Sequence, residues 1–447
     1  MSRPVATPSL ETRAIWAIAL PAMVTNVATA LIGLGDMWIV GRLDDAATQG
    51  AVDIGARLFA VLFTVMNFLK TGTTGLVAQD GTRATEASGG AAQAATLVRG
   101  LAIGLAIAGI LLMLKPVLLP VLLEALGAQG AVLDAARVYA SIRYWTAPAV
   151  MANLALIGFL VGRRRMTAVL LFEIAYNLLN VGLGLWFVLD LGWGIAGIGW
   201  SSFIAEYTKL VAVVLFVMRG DTGRAVLAAI HDRGTLAWAR MRPFLSVNRD
   251  LFLRTVILTV ALASLTRISA DRGAVALAAN GIYYQMFVLI ALLLDGFENA
   301  AQVLDGERAG AGDREGFLAY LRAILIRGLG AALLVSLFFA LFADAVLDSF
   351  AATPAVAAMA REHSIWLALM PIAGVSAFVF DGAFVGASWT RALLGSMVAA
   401  TLIYVATLWL TQEWGNDGLW LSFVLFLAIR AVFQALLVRR LAARTFG

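Results

Sequence analysis

Of 447 residues, 61% are hydrophobic and only 14% are charged, where a soluble domain carries roughly 25% charged residues, so a bilayer must replace water as the solvent. There is no Cys, which excludes disulfides, thiolate metal sites and thiol catalysis. The formal net charge of +5 would raise nucleic-acid binding in a soluble chain; in an apolar one it reads as basic cytoplasmic loops, and no nucleic-acid partner is expected.

Apolar runs of spanning length recur from end to end. They predict helices over about 14–40, 49–79, 94–118, 133–162, 167–190 and 194–218, then 246–270, 275–303, 318–343, 362–386, 390–412 and 417–441. The first run is too long for a signal-peptide core and reads as a retained helix. Runs this long lack the alternation of barrel strands. The expected fold is all-α and polytopic, with twelve transmembrane helices in two pseudo-symmetric six-helix bundles, 1–218 and 246–447, joined by a basic cytoplasmic linker over 219–245.

Loop charges set the orientation. Arg83, Arg163–Arg165, Arg219, Arg224, Arg233, Arg240, Arg242, Arg308, Arg314, Arg391, Arg439, Arg440 and Arg444 alternate, helix by helix, with loops carrying Asp44, Asp45, Glu124, Asp190, Asp344, Asp348, Glu413 and Asp417, with exceptions such as Arg272 and Arg361. The positive-inside rule then puts both termini in the cytoplasm of a multi-pass inner-membrane protein.

The two halves repeat. Ile54, Phe59, Leu76 and Leu97 return as Ile282, Phe287, Leu304 and Leu325, and Arg99-Gly100 returns as Arg327-Gly328, all at a shift of 228 positions. Gly162 returns as Gly386, and Trp193-Gly194-x-x-Gly197 as Trp414-Gly415-x-x-Gly418. Both halves start inside, so the repeat is parallel and suits alternating access around a central site.

Ionisable residues inside a span cost several kcal/mol and should face the bundle interior or water, which makes each a candidate. Asp36 is the only charge in the long first run, and Pro21 in the same helix is a packing kink or a hinge. Glu173, Tyr176, Asn177 and Asn180 follow i, i+3, i+4, i+7 spacing, a polar stripe that is either interhelical glue or a cavity wall. Asp295 and Glu298 stand three apart with Asn299 and Gln302, and Asp381 lies in an apolar run. Arg254, Arg267 and Lys70 are the possible counter-charges, and for Glu298 such pairing is the favoured reading. His231 and His363 read as surface residues, and no metal site is expected. No zinc-protease, serine-hydrolase or Walker motif occurs, so no enzyme and no cofactor are expected and the energy source is an ion gradient. Protons fit best, with sodium as the other option.

In order and spacing, several motifs resemble the multidrug and toxic compound extrusion (MATE) family, in particular its DNA-damage-inducible-F-like branch. They are Leu20-Pro21 with Asp36, Asn177-x-x-Asn180, Gly194-x-x-Gly197, Asn248-Arg249-Asp250-Leu251-Phe252-Leu253-Arg254 and Ala278-Ala279-Asn280, followed by Asp295-Gly296, Gly306-x-x-x-Gly310 and Asp381-Gly382-x-x-x-Gly386. The resemblance covers nearly the whole chain. It implies a V-shaped pair of six-helix bundles, cation-coupled efflux of drug-like small molecules, contact with membrane lipids and action as a monomer. It also implies that Asp36 is the first-helix carboxylate whose protonation is linked to bending at Pro21, that Asn180 is its polar partner, and that Ser202 is a hydroxyl position of the sixth helix. Where family members often have Asp, this chain has Gly184, and Glu173 is a possible substitute. The seventh-helix carboxylate of the sodium-driven branch is replaced by Arg254, which favours protons. The alternatives are a flippase of lipid-linked precursors, to which Arg254 and Arg57 would contribute basic charge, and an intramembrane transferase, for which no clustered catalytic site is visible.

Overall fold

The computed structural model describes residues 8–40, 46–83, 86–351 and 353–447; within these helices, the side chains of 8–11, 29–40, 46, 47, 49 and 86–88 lie outside the description. The described residues form sixteen α-helices. In the first half these are α1 (Pro8–Val40), α2 (Ala46–Met66), α3 (Phe68–Asp80), α4 (Glu86–Ala125), α5 (Gly130–Arg143), α6 (Ala147–Gly162), α7 (Met166–Leu185) and α8 (Gly194–Val217). Then come α9 (Gly220–His231), α10 (Trp238–Asp271), α11 (Ala274–Gly310), α12 (Arg314–Phe350), α13 (Pro354–Glu362), α14 (Ile365–Gly386), α15 (Thr390–Leu410) and α16 (Gly415–Phe446). Eleven described helical stretches, from Gly50–Asp80 to Gln412–Phe446, are long and apolar enough to cross a membrane, and α1, 33 residues long, makes the twelve-span arrangement complete.

Three details differ from the sequence expectation. The second span is interrupted at Asn67, and the fourth by a 3-10 turn at Tyr144–Thr146, although neither break is marked by Gly or by Pro at the break itself. The segment expected as a linker holds the short helix α9 and the first turns of α10.

The chain divides into two compact units. One comprises Val24–Leu245, the other Met1–Met23 with Ser246–Gly447. In the first unit α6 packs against α3, α4 and α8; in the second α14 packs against α11, α12 and α16. These central helices lie in the most buried spans, at 78% and 67% of their apolar windows, whereas Met113 and Leu334 on neighbouring helices are 74% and 70% exposed, as lipid-facing side chains should be.

The sequence repeat is a packing repeat. Glycines let the central helices approach closely. A Cβ on Gly158 or Gly162 would meet the carbonyl oxygens of Lys70 or Thr74 on α3, at 2.6 and 2.7 Å. Gly382 and Gly386 press in the same way on the carbonyl oxygens of Glu298 and Gln302 on α11, each pair of helices shifted by 224 and 228 positions respectively. The turns that follow match too. Arg164 and Ser388 both hold left-handed backbone, at φ 59° and 58°, and the next amides, Arg165 and Trp389, donate back to Leu160 and Phe384 at 2.8 and 2.7 Å. This is the usual glycine-type helix stop made without glycine. Arg99 donates to the Thr235 carbonyl at 3.0 Å, and its repeat partner Arg327 bonds the Thr12 hydroxyl, so each Arg of the repeated pair anchors the segment that opens a long helix.

Candidate functional site

In the Val24–Leu245 unit, α7 and α8 run side by side with their polar residues turned toward each other. Lys209 on α8 places its ammonium 3.2 Å from Glu206 and 3.6 Å from Glu173, and over the ring of Tyr176 at 4.1 Å. The three charged side chains are 9%, 8% and 12% exposed. Asn153 on α6 closes the group, donating to a Glu206 carboxylate oxygen at 2.7 Å and to its backbone oxygen at 3.2 Å. The polar stripe of α7 is therefore divided between tasks. Glu173 and Tyr176 meet the lysine, Asn177 donates to the Ala28 carbonyl of α1 at 3.0 Å, and Asn180 accepts from Ser201 at 3.1 Å.

In the other unit a second ionic group forms around Asp381 on α14. Arg254 of α10 and Arg430 of α16 both bond its Oδ2, and Gln434 donates to Oδ1 at 2.5 Å. Asp381 and Arg430 are almost wholly buried. Two cations on one carboxylate are tolerable in low dielectric only with further compensation. Asp295 and Glu298, one turn apart on the adjoining α11, supply negative charge on that helix; Asn299 donates to Asp295 Oδ2 at 3.2 Å.

Of the residues expected from the sequence, Glu173 and Tyr176 come together, as do Arg254 and Asp381. Asn180 is bonded to α8 through Ser201, whereas Asn177 turns to α1; Ser202 on α8 is buried and its hydroxyl has no partner among the described residues. Arg254 pairs with Asp381. Arg267 pairs with Asp271 at 3.3 Å. The side chain of Asp36 lies outside the described residues, while Pro21 sits inside continuous α1. Sequence reasoning missed Glu206, Lys209, Asn153, Arg430 and Gln434. Lys209 and Arg430 carried a signal, because they stand at the same 221-position shift as Gly197 and Gly418. It also missed Asp305, fully buried on α11 with neither carboxylate oxygen bonded among the described residues. Among the described residues no group of His, Asp or Glu is placed to hold a metal ion.

Two repeated helical halves, each with ionisable side chains paired inside its spans, define a membrane transporter. The MatE family pattern matches residues 21–186 and 251–410, and the chain belongs to that family of efflux transporters. It is 32% identical over 434 residues to DNA damage-inducible protein F of Escherichia coli, covering 96% of this chain and 92% of that protein. It is similar to the probable multidrug resistance protein NorM of Chromobacterium violaceum, at 25% identity over 94% of this chain and 91% of that one. Its fold matches the crystal structure of a MATE transporter in the bent conformation with a TM-score of 0.85, 19% identity and coverage of 97% and 96%.

Proposed function

We propose that the protein is a proton-driven antiporter that exports amphipathic, cationic drug-like compounds across the inner membrane by alternating access. The multidrug resistance named for the NorM relative supports the substrate class. The choice of proton rests on one observation: in each unit a buried carboxylate group is paired with nitrogen cations, Asp381 with Arg254 and Arg430, and Glu173 and Glu206 with Lys209. A small hard cation takes a shell of oxygen ligands and is repelled by a fixed ammonium or guanidinium. A proton needs only one oxygen and exchanges within a hydrogen-bonded group. Asp36 on α1 is proposed as a proton-binding carboxylate, with Asn177, Asn180 and Ser202 as the polar wall along α7 and α8 and Pro21 as the hinge. Asp295, Glu298 and Asp381 are then parts of the charge balance of their own unit.

The flippase alternative loses its basic groups, because Arg254 is bound to Asp381 and Arg57 to Asp53 at 3.0 Å. The test is transport in proteoliposomes with imposed proton or sodium gradients, a panel of cationic dyes and a lipid analogue. Dye movement driven by the pH gradient alone is expected. Dye movement that needs sodium, or movement of the lipid analogue only, overturns the proposal.

A further inference from the structure

Lys70 lies inside the span Gly50–Asp80, and its ammonium makes no ion pair and no hydrogen bond among the described residues. The counter-charge role that the sequence suggests for it has no carboxylate to serve. Other cations within the spans of the Val24–Leu245 unit are engaged. Lys209 sits between Glu206 and Glu173, Lys115 donates to the Ser141 carbonyl at 3.0 Å, Arg99 to the Thr235 carbonyl, and Arg143 is bound to the Tyr139 hydroxyl. A bare ammonium within a span is costly unless it meets water or an anion.

Its own helix does not relieve it. Lys70 is ten residues from Asp80, where α3 ends, about 15 Å of helix and more than a lysine stem can span. Asp80 is in any case bonded by the Thr96 hydroxyl at 2.6 Å. Toward the other end, Asp53 and Arg57 pair with each other at 3.0 Å. The backbone at Lys70 is held firmly. Its carbonyl accepts from the Thr74 hydroxyl at 2.9 Å, and Gly158 of α6 fits so close that a Cβ there would stand 2.6 Å from the same oxygen.

The residues beside Lys70 are polar and turned outward. Thr64 and Asn67 are exposed, Lys70 and Thr71 half-buried. At the break between α2 and α3 the Asn67 amide donates to the Thr64 carbonyl at 3.1 Å. That is a 3-10 step, which brings side chains three apart into line. The Asn67 side chain does not cap the helix it precedes, so its amide is left to other use. Hydrocarbon does not suit a hydroxyl, an amide and an ammonium in a row, so this face of the unit borders water or cargo.

The repeat shows that packing does not call for this cation. At the shift of 228 positions Asn67 returns as Asp295 and Lys70 as Glu298. The same points of the corresponding helix carry opposite charge in the two units, so the sign is set by something other than the fold.

We infer that Lys70, with Asn67 and Thr64, forms an anion-holding site on the Val24–Leu245 unit that takes the carboxylate of a zwitterionic amphiphile. The inference deepens the export reading above and rests on it for the amphipathic character of the cargo. The ammonium donates to a carboxylate oxygen, and the Asn67 amide and Thr64 hydroxyl add donors along the same line. Charge-assisted bonds of this kind are the stronger ones. A lysine acts as a point charge on a flexible stem, so it can meet carboxylates on cargo of different shapes.

Two dyes that share one cationic ring system decide the matter: a xanthene with a free carboxylate, and its methyl ester. Equilibrium binding to the full-length protein in lipid nanodiscs is read by fluorescence anisotropy, with no gradient present. In Lys70→Gln the carboxylate dye should bind about tenfold to a hundredfold more weakly, as loss of a charged hydrogen bond does. The ester should bind as in the wild type or tighter. Lys70→Arg should keep both dyes, and Asn67→Ala should weaken the carboxylate dye alone. Equal weakening of both dyes in Lys70→Gln, or no change in either, overturns the site. If Lys70→Gln does not fold, Asn67→Ala and Thr64→Val carry the same test, and loss that is equal for the two dyes or absent overturns the site. Ester efflux driven by sodium alone would overturn the proton reading and leave selective carboxylate binding at Lys70 standing. A wild type that binds neither dye overturns the drug-export reading and this site with it.

Discussion

Lys209 and Arg430 stand at the same point of the repeat, 221 positions apart on the sixth and twelfth spans, yet they answer opposite charge problems. Lys209 is one cation between two carboxylates, while Arg430 is one of two cations on Asp381. One position of the repeat thus holds a buried cation in each unit with different partners, and the two groups should respond differently to mutation.

Asp381→Asn removes the carboxylate that Arg254 and Arg430 share and leaves two guanidiniums buried without it. Breaking a buried ion pair from one side costs about 3–5 kcal/mol. The variant should therefore lose thermal stability in detergent and elute broadly from a sizing column. Asp381→Asn combined with Arg430→Met should recover part of the loss, because it also removes one stranded charge. A stable Asp381→Asn variant that fails only in transport would instead make Asp381 a coupling residue.

Asp305 is the opposite case. Its carboxylate is fully buried and accepts no hydrogen bond among the described residues, so Asp305→Asn breaks no bond and removes the burden of burying a charge. Its melting temperature should equal or exceed that of the wild type, and a marked fall would show that an interaction of the carboxylate holds the fold.

Gly162→Ala and Gly386→Ala test the packing repeat. The added methyl would meet carbonyl oxygens at 2.7 and 2.6 Å, closer than a Cβ contact tolerates, and the neighbour is backbone that cannot swing aside. Each should lower stability by about 1–3 kcal/mol, the usual loss from overpacking. At the turns the sign reverses. Ser388→Gly relieves a left-handed residue and should gain about 1 kcal/mol, read as a raised melting temperature.

Much of this architecture is legible in the amino-acid sequence. Arg99-Gly100 with Arg327-Gly328, and Gly162 with Gly386, mark the repeat because Arg and Gly inside apolar runs rarely coincide by chance at one shift, and these positions do matching work in the fold. The stripe from Glu173 to Asn180 is visible as helical periodicity, but its partners are not. Pairing of Glu173 with Lys209, or of Asp381 with Arg430, depends on which helices adjoin and at what height, and runs of Leu, Val and Ala allow many registers equally well. Gln434 and Arg430 are further hidden by the basic tail that follows them, where charge reads as a cytoplasmic end. The breaks at Asn67 and Tyr144 carry no Gly or Pro at the break, so local chemistry gives no warning of them.

Single Cys placed at positions 163 and 224 in this Cys-free chain should be modified by impermeant reagents only from the cytoplasmic side. Modification at either position from the outside alone would invert the orientation and move the Glu206 group to the outer half of the membrane.

Helix α1 contains Pro21 and passes from one unit to the other between Met23 and Val24. Helix α10 contains Pro243 and passes between Leu245 and Ser246, so each helix changes unit two residues beyond its proline, at a shift of 222 positions. Proline removes one backbone hydrogen bond and crowds the preceding turn, which makes it the easiest place for a helix to bend. Alternating access requires that whatever joins two moving bodies can flex. The resemblance to the MATE family points to Pro21 alone, whereas the repeat gives Pro243 an equal claim. Pro243→Ala should slow dye turnover in proteoliposomes about as much as Pro21→Ala does, and the double variant should be slower than either. Neither change touches Glu206, Lys209 or Asp381, so the equilibrium affinity for dye should stay as in the wild type. Normal turnover of Pro243→Ala beside slow turnover of Pro21→Ala would show that only the first helix bends, and normal turnover of both would reduce the prolines to packing.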